Sequence, residues 1–524
     1  METQKQVVII GAGPVGLTLA CFLTQQNIPV RILESRSGPV NESRALGVHA
    51  RTLELLRPLG LDSEFIQHGR ITHDMHFHNT KKKLFSLRFG AINKFTPYPF
   101  YLILPQTITE RLLLQWLKRH QVHVEWNTTL DEFQQTADQV SLTVQKPNGR
   151  ENLTAAYLVG CDGANSTVRQ ALNIDFIGET YEAVFSLAEV NIREDKIETD
   201  ATHVYLADQT TCAVIPMPSG RYRIVGPNSA GGSGNDFAHF KHFLDTNHLF
   251  TDLSLYAPDR IIDYKMHKRV AERFSEGRAF LCGDAAHIHS PAGGQGMNTG
   301  MQDAINLAWK LAYVLKGVMP ATLLSSYDIE RRTVSRHVVD NTDKAMAFVT
   351  SPKPLNRFLL NTLYPIATKW YQPRKMLSAM AQLEISYYKP AEKIREFMVK
   401  GKRLPWFDIN ASLNSFDLLD GQSWLLLINR SHTGQTATSE QYRQLQRCSQ
   451  GQLRIAELYP NRYYRPVEPA DKAVSTYPLR HPIAGFGTTY FVLVRPDGYI
   501  HHIEKKNPAL DIVEALFSTH QNKE

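Results

Sequence analysis

Cysteine is scarce in this 524-residue chain, and none of the five (Cys21, Cys161, Cys212, Cys282, Cys448) belongs to a C-x-x-C pair. An odd, widely spaced set argues against a disulfide framework and against a cysteine-based zinc site. It favours a reducing compartment, so a cytoplasmic protein is expected. Long apolar runs are missing too. No stretch approaches the roughly 18 apolar residues of a membrane span. Residues 7–10 are too short for a signal peptide and lead into glycines, not a cleavage site. Charge is nearly balanced: 58 Lys and Arg against 51 Asp and Glu leave +7. That excess suits an anionic cofactor and does not point to nucleic acid. The short basic run at 81–83 reads as a solvated hairpin tip. There is no internal repeat, and no G-x-S-x-G to anchor a hydrolase triad. His287-Ile-His289, His76/His78 and His501/His502 lack Cys or carboxylate partners at ligand spacing, so no metal site is expected.

What is present reads as a globular chain of two to four domains, with 43% hydrophobic residues and 27 prolines spread along it. Near the start, a short apolar strand runs into Gly11-Ala-Gly13-Pro-Val-Gly16. An apolar helix follows, then a second strand, Val30–Leu33, ending at Glu34. This is G-x-G-x-x-G in strand–turn–helix context, with an acid 18 residues past the last glycine. The glycines permit a tight turn and close approach of a pyrophosphate, and the carboxylate can accept the ribose hydroxyl protons. A dinucleotide is therefore expected here, although the motif does not separate FAD from NAD.

The longest signal is residues 277–315, GRAFLCGDAAHIHSPAGGQGMNTGMQDAINLAWKLAYVL. A buried strand breaks at Gly283-Asp284. A small-residue loop with Gly293, Gly294 and Gly296 follows, and Asn298 or Thr299 is a candidate cap for the next helix. That helix carries a narrow polar strip (Asp303, Asn306, Lys310, Tyr313) on an otherwise apolar surface, so it should be buried. Between these two regions, YLVGCDGANSTVR at 157–169 ends a strand at Asp162-Gly163, with Ser166 as an N-cap.

The three segments, together with RALGVHARTLELLRPLGL at 44–61, resemble the FAD-dependent aromatic hydroxylases, the single-component class A flavoprotein monooxygenases. The resemblance implies a para-hydroxybenzoate hydroxylase-like α/β fold. That fold is a Rossmann-like FAD-binding domain with an inserted antiparallel sheet and a thioredoxin-like C-terminal domain. It implies FAD contacts from Gly11, Gly13, Gly16, Glu34, Arg44, Gln106, Asp162 and Asp284. Gly294, Gly296, Met297 and Asn298 would lie against the isoalloxazine ring. The carbonyl of Pro291 would sit at the reaction site. The sheet would roof the flavin and line the substrate pocket, with Phe185, Tyr205, Val214, Pro216 and Tyr222 as candidates.

The domain boundaries read 1–180 and 271–350 for the two parts of the FAD domain, with a hairpin near 73–89 joining the inserted sheet. The substrate sheet takes 181–270, a helical linker 351–402 and the thioredoxin-like domain 403–524. Gly231-Gly-Ser-Gly234 follows no strand and reads as a loop. The linker reads as packing surface or as the contact in a homodimer. The C-terminal domain lacks C-x-x-C and should be redox-inert. By resemblance the activity is hydroxylation of a phenolic or polyketide-like ring with O2. NADPH or NADH would be the transient reductant, and a flavin C4a-hydroperoxide the oxygen donor. A flavin-dependent halogenase would share the fold, but its Trp-x-Trp-x-Ile-Pro segment is absent. A catalytically idle FAD-binding scaffold would show a damaged third motif, and this one is intact.

Overall fold

The computed structural model describes the chain apart from residues 1–4, 41–44, 81, 193–196, 207–210, 229–236, 247–254, 290–291, 350, 352, 389–397, 431–438, 461–473, 481–489, 505–512, 514 and 518–524. Arg44, Pro291 and the Gly231–Gly234 loop fall outside the described residues.

Val7–Ile10 is buried from end to end within a six-stranded sheet. It pairs in parallel with Val30–Leu33 on one side and Tyr157–Gly160 on the other; Ala279–Leu281 extends the sheet in the same direction. Strands covered on both faces need apolar side chains at every position, which is why V-V-I-I and A-F-L show no alternation. Parallel pairing brings the C-terminal ends of all four strands to one edge. Gly11, Glu34, Cys161-Asp162 and Gly283-Asp284 therefore meet there, although they are up to some 270 residues apart in sequence. The Pro14–Gln25 helix packs on the Gly296–Leu315 helix, which is buried along almost its whole length.

The second sheet has eight strands. Next to the short edge strand His287–Ile288, Leu255–Ala271 and Phe176–Ile192 are long partners, followed by Tyr222–Asn228, Thr211–Pro216 and Ala201–Leu206. The strands thus begin at Phe176 and run to Ala271 rather than from 181 to 270. The hairpin Asp74–His78/Lys83–Arg88 extends this sheet through a parallel pairing with Ala201–Leu206. Alternation splits the sheet into two faces. One carries Met75, Phe77, Phe85, Leu87 and Ile215 into the core of the FAD domain. The other carries Ala188, Val190, Cys212, Val214, Tyr222 and Ile224 against Phe240 and Leu244 of the Phe237–Thr246 helix.

The C-terminal domain is built on a five-stranded sheet of thioredoxin-like order. Trp424–Asn429 has parallel Leu453–Pro460 on one side, reached through the Ser439–Cys448 helix, and antiparallel Tyr490–Val494 on the other. One face of this sheet packs on the long buried helix, where Trp309 meets Trp424 edge to face at 5.7 Å between ring centroids.

After Pro105 a helix runs from Gln106 to Arg119. The α-helix Ala50–Leu56 ends before Pro58, which sits in a 3-10 turn, Arg57–Leu59, closed by Gly60 at φ +71°. The alternating Val122–Trp126 segment forms only the two-residue strand Val124–Glu125.

Candidate functional site

At the strand edge the glycines are dictated by close approach. Gly11 has φ +103°, and a Cβ there would lie 2.4 Å from the carbonyl oxygen of Cys161. A Cβ on Gly16 would lie 2.1 Å from the Gly11 carbonyl oxygen. Gly13 differs: among the described residues nothing lies within 4 Å of its Cβ position, in front of the Pro14–Gln25 helix. That helix has Pro14 in its first turn and no side-chain cap. An uncapped N-terminus beneath a bare backbone turn is the donor set a pyrophosphate needs.

Glu34 closes one side of this turn. Its Oε2 accepts from the Ala12 N–H (2.8 Å) and from Arg36 Nη2 (2.9 Å), and its Oε1 accepts from the Arg36 N–H and the Ser35 hydroxyl. Burial pushes its pKa up, but the Arg36 guanidinium and the two N–H groups outweigh burial and hold the carboxyl at about 2. It is an acceptor-only anion, as ribose hydroxyls require. The Arg36 side chain is partly exposed. Gln106 stands nearby, accepting from the Ala45 N–H at 3.3 Å and donating to Glu110 at 2.9 Å. Glu110 and Arg36 were not singled out from the sequence; an acid inside an apolar helix turn gives no signal of its own there.

Asp162 caps the short Thr167–Ala171 helix, its Oδ2 accepting from Thr167 N–H (2.7 Å) and Val168 N–H (3.3 Å). Its Oδ1 is buried with no hydrogen-bond partner among the described residues. Ser166, as expected from its position, accepts from the Arg169 N–H.

The third motif docks on the first. A Cβ on Gly283 or Gly300 would approach Val15 to 2.8 or 2.7 Å, so the Asp284 turn and the long buried helix both seat on the first turn after Gly13. Asp284 itself is exposed at this turn. Asp303 fixes the turn from below. Its Oδ2 accepts from the Gly283 N–H (3.2 Å) and pairs with His287 Nε2 (2.7 Å), while its Oδ1 takes Arg331 Nε at 2.6 Å. Burial opposes its charge, but Arg331 and His287 keep its pKa below the ordinary value. His287 is thus a partner of Asp303. Among the described residues no cluster of three His, Cys, Asp or Glu could hold a metal ion.

The long helix begins at Gly296, two residues before the expected cap, and Gln295 gives it no side-chain cap. Asn298 lies in its first turn, fully buried. Its Oδ1 accepts from His49 N–H (2.9 Å) and Thr52 Oγ1 (2.8 Å), and its Nδ2 donates to the carbonyls of Gly47 (2.8 Å) and Gly294 (2.9 Å). All four of its hydrogen-bonding positions are thereby used inside the chain. It ties the glycine loop to the 45–52 segment. His49 adds a second tie, its Nε2 lying 2.7 Å from the Gly293 carbonyl. Gly293 and Gly294 both take positive φ, and the Tyr101 hydroxyl stands 2.2 Å from where a Gly294 Cβ would be. Met297 packs partly buried against the core, and Gly296 has only His289 within 4 Å of its Cβ position.

The five substrate candidates do not come together. Val214, Tyr222 and Tyr205 pack in the cluster under the Phe237–Thr246 helix. Pro216, opposite Tyr222 in register, shares that outer face. Phe185 lies on the other face with its cross-strand neighbour Pro227, and Leu187 pairs with Val225 on that same face.

These elements have the donor set for a dinucleotide: bare Gly13, the Glu34 carboxylate, two uncapped helix N-termini and a glycine loop. Residues 4–342 match the FAD binding domain family, covering more than half of the chain. The chain belongs to the FAD-dependent aromatic hydroxylases. It is 35% identical to 6-methylpretetramide 4-monooxygenase of Streptomyces rimosus over 69% of its own length and 64% of that relative, just under two thirds. Pentachlorophenol 4-monooxygenase of Sphingobium chlorophenolicum is 27% identical over 94% of this chain and 93% of that one. Among solved structures, an anhydrotetracycline hydroxylase from Streptomyces rimosus aligns at TM-score 0.75 and 27% identity, covering 98% of this chain and 99% of its own. As a member of this family the chain carries an FAD-binding domain.

Proposed function

We propose that this family member inserts one oxygen atom of O2 into an electron-rich aromatic ring, phenolic or polyketide-like, with NADPH or NADH as transient reductant. The observation that carries the reading is the meeting of the second and third motifs on the first, through Gly11 and Gly16 against Cys161 and through Gly283 and Gly300 against Val15. When bound there, FAD supplies the redox chemistry, accepting hydride from a nicotinamide and delivering electrons to O2.

The chain's own residues bind, orient and shield. Glu34 accepts the ribose hydroxyls, and the backbone turn at Gly13 admits the pyrophosphate. Asp162, Asp284, Gln106 and Arg44 are the further cofactor candidates, and the loop Gly294–Met297 is the candidate platform for the ring. The Pro291 carbonyl is the candidate for the reaction site. The inward face of the inserted sheet, with Phe185, Leu187 and Val225, replaces the mixed set of substrate candidates as the pocket wall. An apolar roof excludes water from the reacting centre. No second dinucleotide fingerprint occurs in the sequence, so the nicotinamide would arrive and leave.

A panel of phenols and polyketide aromatics tests the reading through stimulated NAD(P)H oxidation with matching hydroxylated product. Oxidation that no aromatic compound accelerates, ending only in hydrogen peroxide, would count against it.

A further inference from the structure

Three short segments, Pro354–Phe358, Leu359–Leu363 and Tyr364–Trp370, run on as one helix with a π turn in the middle. One side faces inward: Leu360 and Thr368 are buried, and Tyr364 packs on Phe85 and Phe348 at 5.7 and 6.2 Å between ring centroids. The other side is apolar and exposed. Leu355, Phe358, Leu363, Ile366 and Trp370 recur at steps of 3, 5, 3 and 4 residues. A step of 5 would break an α-helical stripe, but it falls on the π turn, whose extra residue restores the register. The stripe is therefore continuous, ending in Trp370 at 84% exposure and Tyr371 at 68%. Isolated exposed apolar residues are ordinary, whereas a contiguous stripe of this kind marks a contact surface.

Charge identifies the partner. From Lys344 to Leu383 the sequence holds no Asp or Glu. Lys369 within this helix, and Lys353, Arg374 and Lys375 at its two ends in the sequence, are exposed. A second copy of the chain docking by two-fold symmetry would set these cations against their own copies. An anionic phospholipid surface complements both features, with aromatic rings at headgroup depth and lysines and arginines toward the phosphates. No described helix is long and apolar enough to cross a membrane, so the contact lies in the interface plane. We propose that the outer face of the 354–371 helix docks the protein on an anionic lipid surface. This assignment is independent of the identity of the aromatic substrate.

The test uses the full FAD-loaded chain with vesicles of phosphatidylcholine alone and of phosphatidylcholine with phosphatidylglycerol. Co-sedimentation is expected with the anionic vesicles only, weakening as salt rises. Ile366→Gln/Trp370→Gln and Lys369→Glu/Lys375→Glu should each weaken it about tenfold or more, with flavin content and melting temperature unchanged. Failure to bind anionic vesicles at low salt would overturn the proposal, as would undiminished binding by both variants. Sedimentation equilibrium that finds a dimer dissociated by the same substitutions would give the face to a second copy instead.

Discussion

The place of Glu34 at the end of the second strand was legible from the sequence because of its spacing after G-x-G-x-x-G, whereas its partners Arg36 and Ala12 had to be seen in place. With the carboxyl held at about 2, it stays anionic at any pH where the protein is handled. Glu34→Ala should weaken FAD binding by about 1.5–3 kcal/mol, the contribution of a hydrogen bond to a charged group; flavin fluorescence titration measures it, and unchanged affinity would remove Glu34 from the site. Asn298 was legible as a position but not in its role. Its identity suggested a cap or a ligand contact, and only the fold reveals that all its hydrogen bonds serve the chain. His49, in the same phrase as Arg44, was missed because one buried histidine has no sequence signature. Burial outweighs its bond to the Gly293 carbonyl and lowers its pKa from 6.5 to about 4. The unfolded chain then takes up a proton near 6.5 that the folded chain refuses until about 4. This stability is full above 6.5 and drains away as pH falls through 4. Melting temperature should decline across that window, with His49→Gln flattening the slope; a flat profile from pH 7 to 5 would contradict the assignment.

At the scale of elements, Val7–Ile10, Tyr157–Gly160 and Ala279–Leu281 were readable because short apolar runs next to a glycine turn have few alternatives, whereas Val30–Leu33, interrupted by Arg31, was readable from its place after the glycine turn and helix. The inserted sheet was readable as strands but not as faces. Period-2 alternation says that Val214 and Ile215 point opposite ways, not which way the flavin lies. The helix that decides the matter, Phe237–Thr246, comes from a stretch with no strong pattern. Val214→Ala should therefore cost about 1–3 kcal/mol in stability and leave KM for the aromatic substrate alone. Leu187→Ala should raise KM. The reverse pattern in steady-state kinetics and melts would exchange the two faces. His78 sits on the outer face, where burial first, then His203 and His76, lower its pKa to about 4. It adds to the acid-side loss in the same direction as His49. Asp303, between Arg331 and His287, joins the long helix to the Asp284 turn. Arg331→Met would leave that carboxylate buried without its main partner, and roughly 3–5 kcal/mol of stability should go with it; urea unfolding measures the loss.

For the whole molecule, the C-terminal domain contributes contacts and no thiol pair. Arg495, on the turn after Tyr490–Val494, pairs with both Glu330 and Asp497, and Asn306 of the long helix donates to the same two carboxylates. This part of the architecture was invisible in the sequence, where Arg-Pro-Asp-Gly reads only as a turn. Cys448 is the one cysteine beyond residue 400 and packs half-buried on the C-terminal core, so Cys448→Ser should leave turnover within about twofold of the native rate even if it costs some stability. A large fall in turnover in a well-folded variant would give the domain a redox role. The central claim is that the flavin assembled at the strand edge activates O2 and places one of its atoms on an aromatic ring. Turnover under 18O2 with the substrate that most accelerates NAD(P)H oxidation tests it directly, by mass spectrometry of the product. One 18O atom per hydroxyl gained is the expected result. Hydroxyl oxygen derived from water, or label recovered only in hydrogen peroxide, would contradict it.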